Sequence, residues 1–415
     1  METTYFRKGF GLKGAIEGQL AADYHSTVVD ALRANDYRLT VGPLTFRLAR
    51  EFGFCYGVDR AVDYAYETRT KFPDRRLFLV GEIIHNPHVN RKLQAMGIEF
   101  LRHGEDGEFD FSGIRPEDVV ILPAFGVTFK DFERLRALGC VLVDTTCGSV
   151  LSVWKRVESY ARDGFTAVIH GKWWHEETKS TASQAMKHPG GRYLVVFDMA
   201  EAREVMDFIA RGGAAADPAE AARLAAKFEK AVSPGFDFAR DLERIGVANQ
   251  TTMLSGESLA IAAAFGRTMA ARYGEAAKAE HFRSFDTICS ATQERQDAIV
   301  QLLADEREPL DLMLIVGGYN SSNTTHLAAL AREKGVRGYH IEDADCLDPA
   351  AGTVRHQPVG AKHEVTDTAW LGDARVIGIT AGASTPNNKI GETIARVCET
   401  AGVGAELARV LEAGR

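Results

Sequence analysis

Three cysteines stand where the chain could do chemistry. Cys55 lies between two glycines in Glu51-Phe52-Gly53-Phe54-Cys55-Tyr56-Gly57-Val58-Asp59-Arg60, Cys147 ends Asp144-Thr145-Thr146-Cys147, and Cys289 ends Asp286-Thr287-Ile288-Cys289. Each follows a strand pattern and precedes a helix pattern. At such a junction backbone can approach a ligand closely, and the helix N-terminus favours thiolate over thiol. The three are 92 and 142 residues apart, which rules out a local finger-type zinc site built from closely spaced pairs. Three converging thiolates suit a soft metal centre with one open position. A [4Fe–4S] cluster normally takes four thiolates, so three leave one iron free for a substrate oxygen. The competing reading is a set of small thiols packed in tight turns, and Cys55 taken alone reads that way. Cys140, Cys346 and Cys398 fit that plainer reading, since none lies in a strand-end loop with a glycine on each side.

Other polar residues gather at similar junctions. His85, in Ile84-His85-Asn86-Pro87, ends a strand just before a helix; it is either a loop histidine or a ligand-binding one. His175 and Glu177 are two apart at a helix start. Glu177 is then either a first-turn acid favoured by the helix dipole or a proton donor whose burial keeps it near the protonated state. Trp173 and Trp174 beside it either exclude water or belong to the core. Asn320-Ser321-Ser322-Asn323-Thr324-Thr325 follows an apolar strand and is a credible phosphate cradle, helix amides plus side-chain donors, although such runs are more often caps and turns. Thr380-Ala381-Gly382-Ala383-Ser384 repeats the theme. No Walker A motif and no Gly-x-Gly-x-x-Gly follows a strand, so a nucleotide is not implied.

The elements that must position these residues alternate. Apolar strands are expected at Leu44–Leu48, Leu77–Val80, Val119–Leu122, 140–143, 166–169, 193–197, Leu312–Val316 and 376–379. Helical periodicity follows most of them, with Val58, Ala61, Val62 and Ala65 as one buried face. Asn86-Pro87 is a helix start signal. Strand–helix alternation predicts an α/β fold with mainly parallel sheets, whose ligands gather at the carboxyl ends of the strands. Three blocks each carry a cysteine at such an end, which predicts three similar α/β units around a shared centre. The expected organisation is an arm over residues 1–43, a first unit over 44–146, a second over 147–284 with an Ala-rich excursion at 211–234, a third over 285–385, and a C-terminal helix over 386–415.

The bulk numbers exclude several classes. The 415 residues are 45% hydrophobic and 26% charged, with a net charge of −8. That is ordinary for a globular protein of two or three domains and argues against a general nucleic-acid binder. No apolar run reaches the ~20 residues of a membrane span, and the N-terminus lacks a secretory core. Six cysteines in so long a chain suggest reduced thiols and a cytoplasmic location.

Taken together, the motifs resemble the LytB/IspH family of 4-hydroxy-3-methylbut-2-enyl diphosphate reductases. The resemblance runs from about Leu44 to Ile394. Besides the three cysteine motifs it rests on Ile84-His85-Asn86-Pro87, His175-Glu176-Glu177-Thr178, Asn249-Gln250-Thr251-Thr252, Asn320-Ser321-Ser322-Asn323 and Ala381-Gly382-Ala383-Ser384, all in family order. It implies a trefoil of three α/β units around one [4Fe–4S] cluster. It makes Cys55, Cys147 and Cys289 the cluster ligands. His85, Ser321, Ser322, Asn323 and Ser384 become diphosphate ligands, with His175 lining the same pocket. Glu177 becomes the proton donor and Thr251 its hydrogen-bonding neighbour. The implied reaction is reductive loss of the substrate hydroxyl as water, giving isopentenyl and dimethylallyl diphosphates in the methylerythritol phosphate pathway. The implied electron donor is ferredoxin or flavodoxin. Phe125 in Pro123-Ala124-Phe125-Gly126 stands where many bacterial members have His, and Gly148 where Pro often follows the second cysteine; the former pattern is similar to the plant and cyanobacterial branch. Two alternatives use the same residues: an open-iron [4Fe–4S] dehydratase, and a non-enzymatic iron–sulfur redox sensor.

Overall fold

The computed structural model describes residues 4–104, 107–213, 217–285 and 287–413. The chain forms two compact units. One contains Met1–Lys8, Asp74–Gly81 and Glu99–Cys289; the other contains Gly9–Pro73, Glu82–Ile98 and Ser290–Arg415.

The first unit is built on two sheets. In one, the strands run in the order Tyr5–Phe6, Val141–Asp144, Val119–Leu122, Leu77–Val80, Ile98–Leu101. The Tyr5–Phe6, Val141–Asp144, Val119–Leu122 and Leu77–Val80 strands pair in parallel. In the other the order is Phe282–Ser284, Ile245–Asn249, Thr166–His170, Tyr193–Val196, all parallel. Every residue of Val119–Leu122, Thr166–His170 and Ile245–Asn249 is buried. That is why these strands read as largely apolar runs: helices cover both faces of a parallel sheet.

The second unit carries one sheet in the order Gly338–Ile341, Leu312–Val316, Val376–Ala381, Leu44–Leu48, Arg38–Val41. It is parallel except for the last strand, which pairs antiparallel. A separate antiparallel sheet of Leu347–Asp348, Thr353–His356 and Val365–Thr368 was not expected from the sequence. The main core of this unit gathers Phe46, Leu314, Ile379, Ile394 and Trp370.

The α/β class and the mainly parallel sheets are as expected, but three details differ. Leu44–Leu48, expected to open the first unit, pairs with Val376–Ala381 in the second. A parallel strand is joined to its partner by a crossover of roughly a dozen residues or more, with no set upper length, so local sequence specifies a strand but not its neighbour. The stretch 386–415 holds two helices, Asn387–Thr400 and Gly404–Ala413, separated by Gly402 with φ of +73°; a positive φ ends an α-helix. The arm is also structured. Tyr5–Phe6 is a strand, and Lys13–Tyr24 and Thr27–Ala34 are helices. The described part of the Ala-rich excursion contains one helix, Pro218–Lys227, capped by Asp217.

Local signals worked where they were strong. Asn86 caps Pro87–Ala95, its side chain accepting from the Val89 amide at 3.1 Å, and Gly139 ends Phe129–Leu138 with φ of +72°. Asn86 is buried, so its loss also leaves an amide unsatisfied. Asn86→Ala should lower stability by about 1 kcal/mol. The midpoint in a denaturant titration should fall with an unchanged slope, and an unmoved midpoint would remove this cap from the helix's energetics.

Candidate functional site

Within the first unit, the Cys147 loop is held by backbone. Thr145 donates from its amide (3.2 Å) and its Oγ1 (2.6 Å) to the Leu122 carbonyl, and the Cys147 amide donates to Ala124 at 2.8 Å. Gly126 has φ of +76°, and a Cβ there would lie 2.3 Å from the Trp154 ring. A glycine is therefore required for the Phe125-Gly126 turn to pack on the helix that Cys147 begins. Cys147 is the N-cap of Gly148–Arg162. Burial raises its thiol pKa and the nearby Cys289 sulfur adds to this, while amide hydrogen bonds from Ser149 and Val150 pull the other way. Asp286, which opens the third cysteine motif, lies outside the described residues.

Glu177 sits in the first turn of Glu176–Ser183 and is 3% exposed. His175 caps that helix, its Nδ1 accepting from the Glu177 amide at 3.1 Å. The neutral ring therefore carries its proton on Nε2. One Glu177 carboxylate oxygen accepts the Thr251 amide, so Thr251 meets Glu177 through backbone. The Thr251 turn is braced by Gln250. Its Oε1 accepts the Lys172 amide (3.1 Å) and Thr178 Oγ1 (3.0 Å), and its Nε2 donates to Thr252 Oγ1 (2.7 Å). Thr287, in the Cys289 loop, donates to Asn249 Oδ1. Asn249 and Gln250 thus join the cysteine loop to the turn that grips Glu177. Both were visible in the motif, but nothing local distinguished a bridging amide from a turn residue.

Within the second unit, Cys55 caps Tyr56–Lys71. The Gly53 and Cys55 amides donate to the Ala381 and Ala383 carbonyls, each at 3.2 Å. Gly53 has φ of +67°, and a Cβ there would come within 3.1 Å of the Thr385 carbonyl oxygen. Gly57, by contrast, is an ordinary helical residue. Arg295 is 3% exposed and its guanidinium donates to the Gly53 carbonyl at 2.8 and 3.2 Å and to Phe54 at 3.2 Å. The sequence offered one clue to Arg295: a cation in the buried helical stripe Thr292, Arg295, Ile299, Leu302.

The same unit brings the expected anion ligands together. Ser321 caps Ser322–Glu333, its Oγ accepting from the Thr324 amide (3.3 Å) and Thr324 Oγ1 (3.0 Å). Asn323 Oδ1 accepts the Ala383 amide at 2.9 Å, and Ser384 Oγ donates to the His85 carbonyl at 3.2 Å. A Cβ on Gly318 would lie 2.7 Å from that same carbonyl oxygen. His85 Nδ1 lies 3.1 Å from a Glu82 carboxylate oxygen. A helix N-terminus, three hydroxyls, one amide and an imidazole make a chemically suitable diphosphate cradle.

The first unit therefore carries Cys147, Cys289, His175, Glu177 and Thr251, and the second carries Cys55, His85, Ser321, Ser322, Asn323 and Ser384. Among the described residues, no three His, Cys, Asp or Glu side chains form a group that could hold a metal ion. The donor set nevertheless fits an iron–sulfur group. Cys55, Cys147 and Cys289 are all half-buried, and each caps or directly precedes a helix. Cys140, Cys346 and Cys398 are buried, and burial pushes the Cys140 and Cys398 thiols up to about 11 and about 12. The two sets of thiols separate on exposure and helix position.

The family model for LytB protein matches residues 46–398. The chain belongs to the LytB family. Its LytB relatives include the 4-hydroxy-3-methylbut-2-enyl diphosphate reductase of Gloeobacter violaceus, 50% identical over 404 residues, covering 96% of this chain and 93% of the relative. The reductase of the same name from Thermosynechococcus vestitus is 50% identical over 394 residues, covering 95% and 94%. Among solved structures, an (E)-4-hydroxy-3-methyl-but-2-enyl diphosphate reductase, the terminal enzyme of the non-mevalonate pathway, is 26% identical. It aligns with a TM-score of 0.50 over 85% of this chain and 99% of its own. The Plasmodium falciparum E-1-hydroxy-2-methyl-but-2-enyl-4-diphosphate reductase, 19% identical, shares the fold with a TM-score of 0.61 over 85% and 87%.

Replacing Arg295 with Met should free the Gly53 and Phe54 carbonyls. The expected cost is about 2 kcal/mol of stability, with faster alkylation of Cys55 in the iron-free protein; wild-type alkylation would show that the loop holds without the guanidinium. His170 gives a pH dependence. It is buried at the strand end before Gly171, with Nδ1 2.8 Å from Ser258 Oγ, and burial depresses its pKa to about 4. The unfolded value is about 6.5. Stability from its neutral form is therefore complete above pH 6.5 and is lost as pH falls toward 4, by ~3 kcal/mol. His170→Gln should flatten the denaturant midpoint across that window, and an unchanged slope would exclude His170 as its source.

Proposed function

We propose that this chain reduces 4-hydroxy-3-methylbut-2-enyl diphosphate to isopentenyl and dimethylallyl diphosphates. Two electrons and two protons enter; the C–O bond of the hydroxyl breaks and one water leaves. The observation that carries the catalytic assignment is the buried Glu177 carboxyl, fixed by the Thr251 amide beside the His175 cap. The half-identical full-length relatives carry the reductase name.

Cys55, Cys147 and Cys289 would hold a [4Fe–4S] cluster. When bound, it supplies the electrons and Lewis acidity at an iron lacking a protein ligand. The chain's own residues do the rest. The Ser322–Glu333 N-terminus, Ser321, Ser322, Asn323, Ser384 and His85 hold the diphosphate and so fix the hydrocarbon end. His175, which caps the Glu177 helix, completes the residues assigned to the substrate. Glu177 gives the proton that lets the hydroxyl leave as water. Thr251 holds the carboxyl in the geometry needed for transfer. The electrons come from a small carrier protein such as ferredoxin or flavodoxin. A cytoplasmic setting suits six free thiols; no helix among the described residues is long and apolar enough to cross a membrane.

Anaerobically prepared protein should be brown, hold about four irons per chain, and turn over the hydroxylated diphosphate with a chemical reductant. Glu177→Gln should keep the iron and lower kcat by roughly 10²–10⁴-fold. Full turnover in that variant removes Glu177 as the proton donor. An iron-loaded wild type with no turnover of this substrate removes the reductase reading itself.

A further inference from the structure

The N-terminal arm has no part in the chemistry assigned so far, yet it reaches the Cys147 loop. Tyr5 and Phe6 pair with Leu142 and Val143, and the Leu142 amide donates to the Thr4 carbonyl at 2.7 Å. A two-residue strand is too short to hold itself in place. Side-chain contacts hold it. The Tyr5 ring packs edge-on against Phe132 at 5.6 Å, and its hydroxyl donates to Asp144 Oδ2 at 2.5 Å. Arg7 Nε lies 3.5 Å from the same oxygen.

Asp144 is 4% exposed, and its other oxygen accepts the Thr146 amide at 3.0 Å. Thr146 directly precedes Cys147. One buried carboxylate therefore bonds the arm on one side and the cysteine loop on the other. A buried carboxylate keeps its position only while its charge is compensated. Tyr5 and Arg7 supply that compensation from the arm. Tyr5 itself is 37% exposed, so the hydrogen bond rather than burial places its hydroxyl. Burial and the Asp144 bond hold the phenol protonated far above its ordinary range, so it stays a donor.

We infer that Tyr5 is a positioning residue for the Cys147 thiolate: acting through Asp144, it fixes the loop that presents this ligand to the cluster. The inference rests on the reading of Cys147 as a cluster ligand. The arm is then part of the metal-holding machinery.

The test uses the full chain, reconstituted with iron and sulfide without oxygen. Tyr5→Phe should load iron to the wild-type level with a thermal midpoint close to wild type. It should then lose iron to an excess ferrous chelator roughly five-fold faster, as expected for one hydrogen bond, and show an altered electron paramagnetic resonance signal when reduced. Asp144→Asn, which keeps an acceptor for the Thr146 amide, should lie nearer wild type than Asp144→Ala. Wild-type iron loss and an unchanged signal in Tyr5→Phe would overturn the assignment, as would a lowered thermal midpoint with the signal untouched. If the wild-type chain takes up no iron, the cluster reading fails first. The alkylation rate of Cys147 in the iron-free chain then decides separately: faster in Tyr5→Phe supports the positioning role, and an equal rate overturns it.

Discussion

The carboxyl end of a buried parallel strand imposes the constraint on which the rest depends. There the strand's last carbonyls and the next helix's first amides lack partners inside their own elements. The chain must satisfy them within a few residues. Cys55, Cys147, Glu177, Ser321 and Ser384 all lie in or just beyond such junctions. Much of the apparent functional machinery is first a solution to this problem. The Gly53 and Cys55 amides go to the Ala381 and Ala383 carbonyls, the Cys147 amide goes to Ala124, and the Thr251 amide goes to Glu177. Backbone that has been satisfied in this way is rigid, and rigidity is what a metal ligand or a proton donor needs.

Small residues make these junctions tight. A Cβ on Gly382 would lie 1.9 Å from Thr324 Oγ1, and one on Gly317 would lie 2.6 Å from Thr385 Oγ1. The strand ends behind the proposed diphosphate cradle therefore touch with no spare volume. In the first unit, Gly171 is similarly close to Thr178 and Gln250. That fixes the turn leading to His175 from below, while Gln250 fixes it from the side.

The elements that were legible in the sequence are those whose signal is local. Leu312–Val316 is apolar throughout because both faces are buried, and Asn86-Pro87 announces its helix because the cap is made by adjacent residues. Cys55, Cys147 and Cys289 stood out through their junctions, where all three are half-buried. What stayed hidden was set by partners far along the chain. Leu44–Leu48 is an obvious strand whose neighbour is Val376–Ala381. Arg295 serves carbonyls at Gly53 and Phe54, and Asn249 serves Thr287. A hydrogen bond between distant segments leaves almost no trace in either one alone.

The tie between the Cys55 loop and the Ala381–Ala383 stretch has a consequence for how the protein is made. Cys55 leaves the ribosome early, but the carbonyls that fix its loop follow more than three hundred residues later. Until the Val376–Ala381 strand has been synthesised and paired, this thiol belongs to an unfinished sheet. The first cysteine to be translated is thus among the last to be set. The Cys147 loop, whose backbone partners Leu122 and Ala124 precede it in the chain, has no such wait.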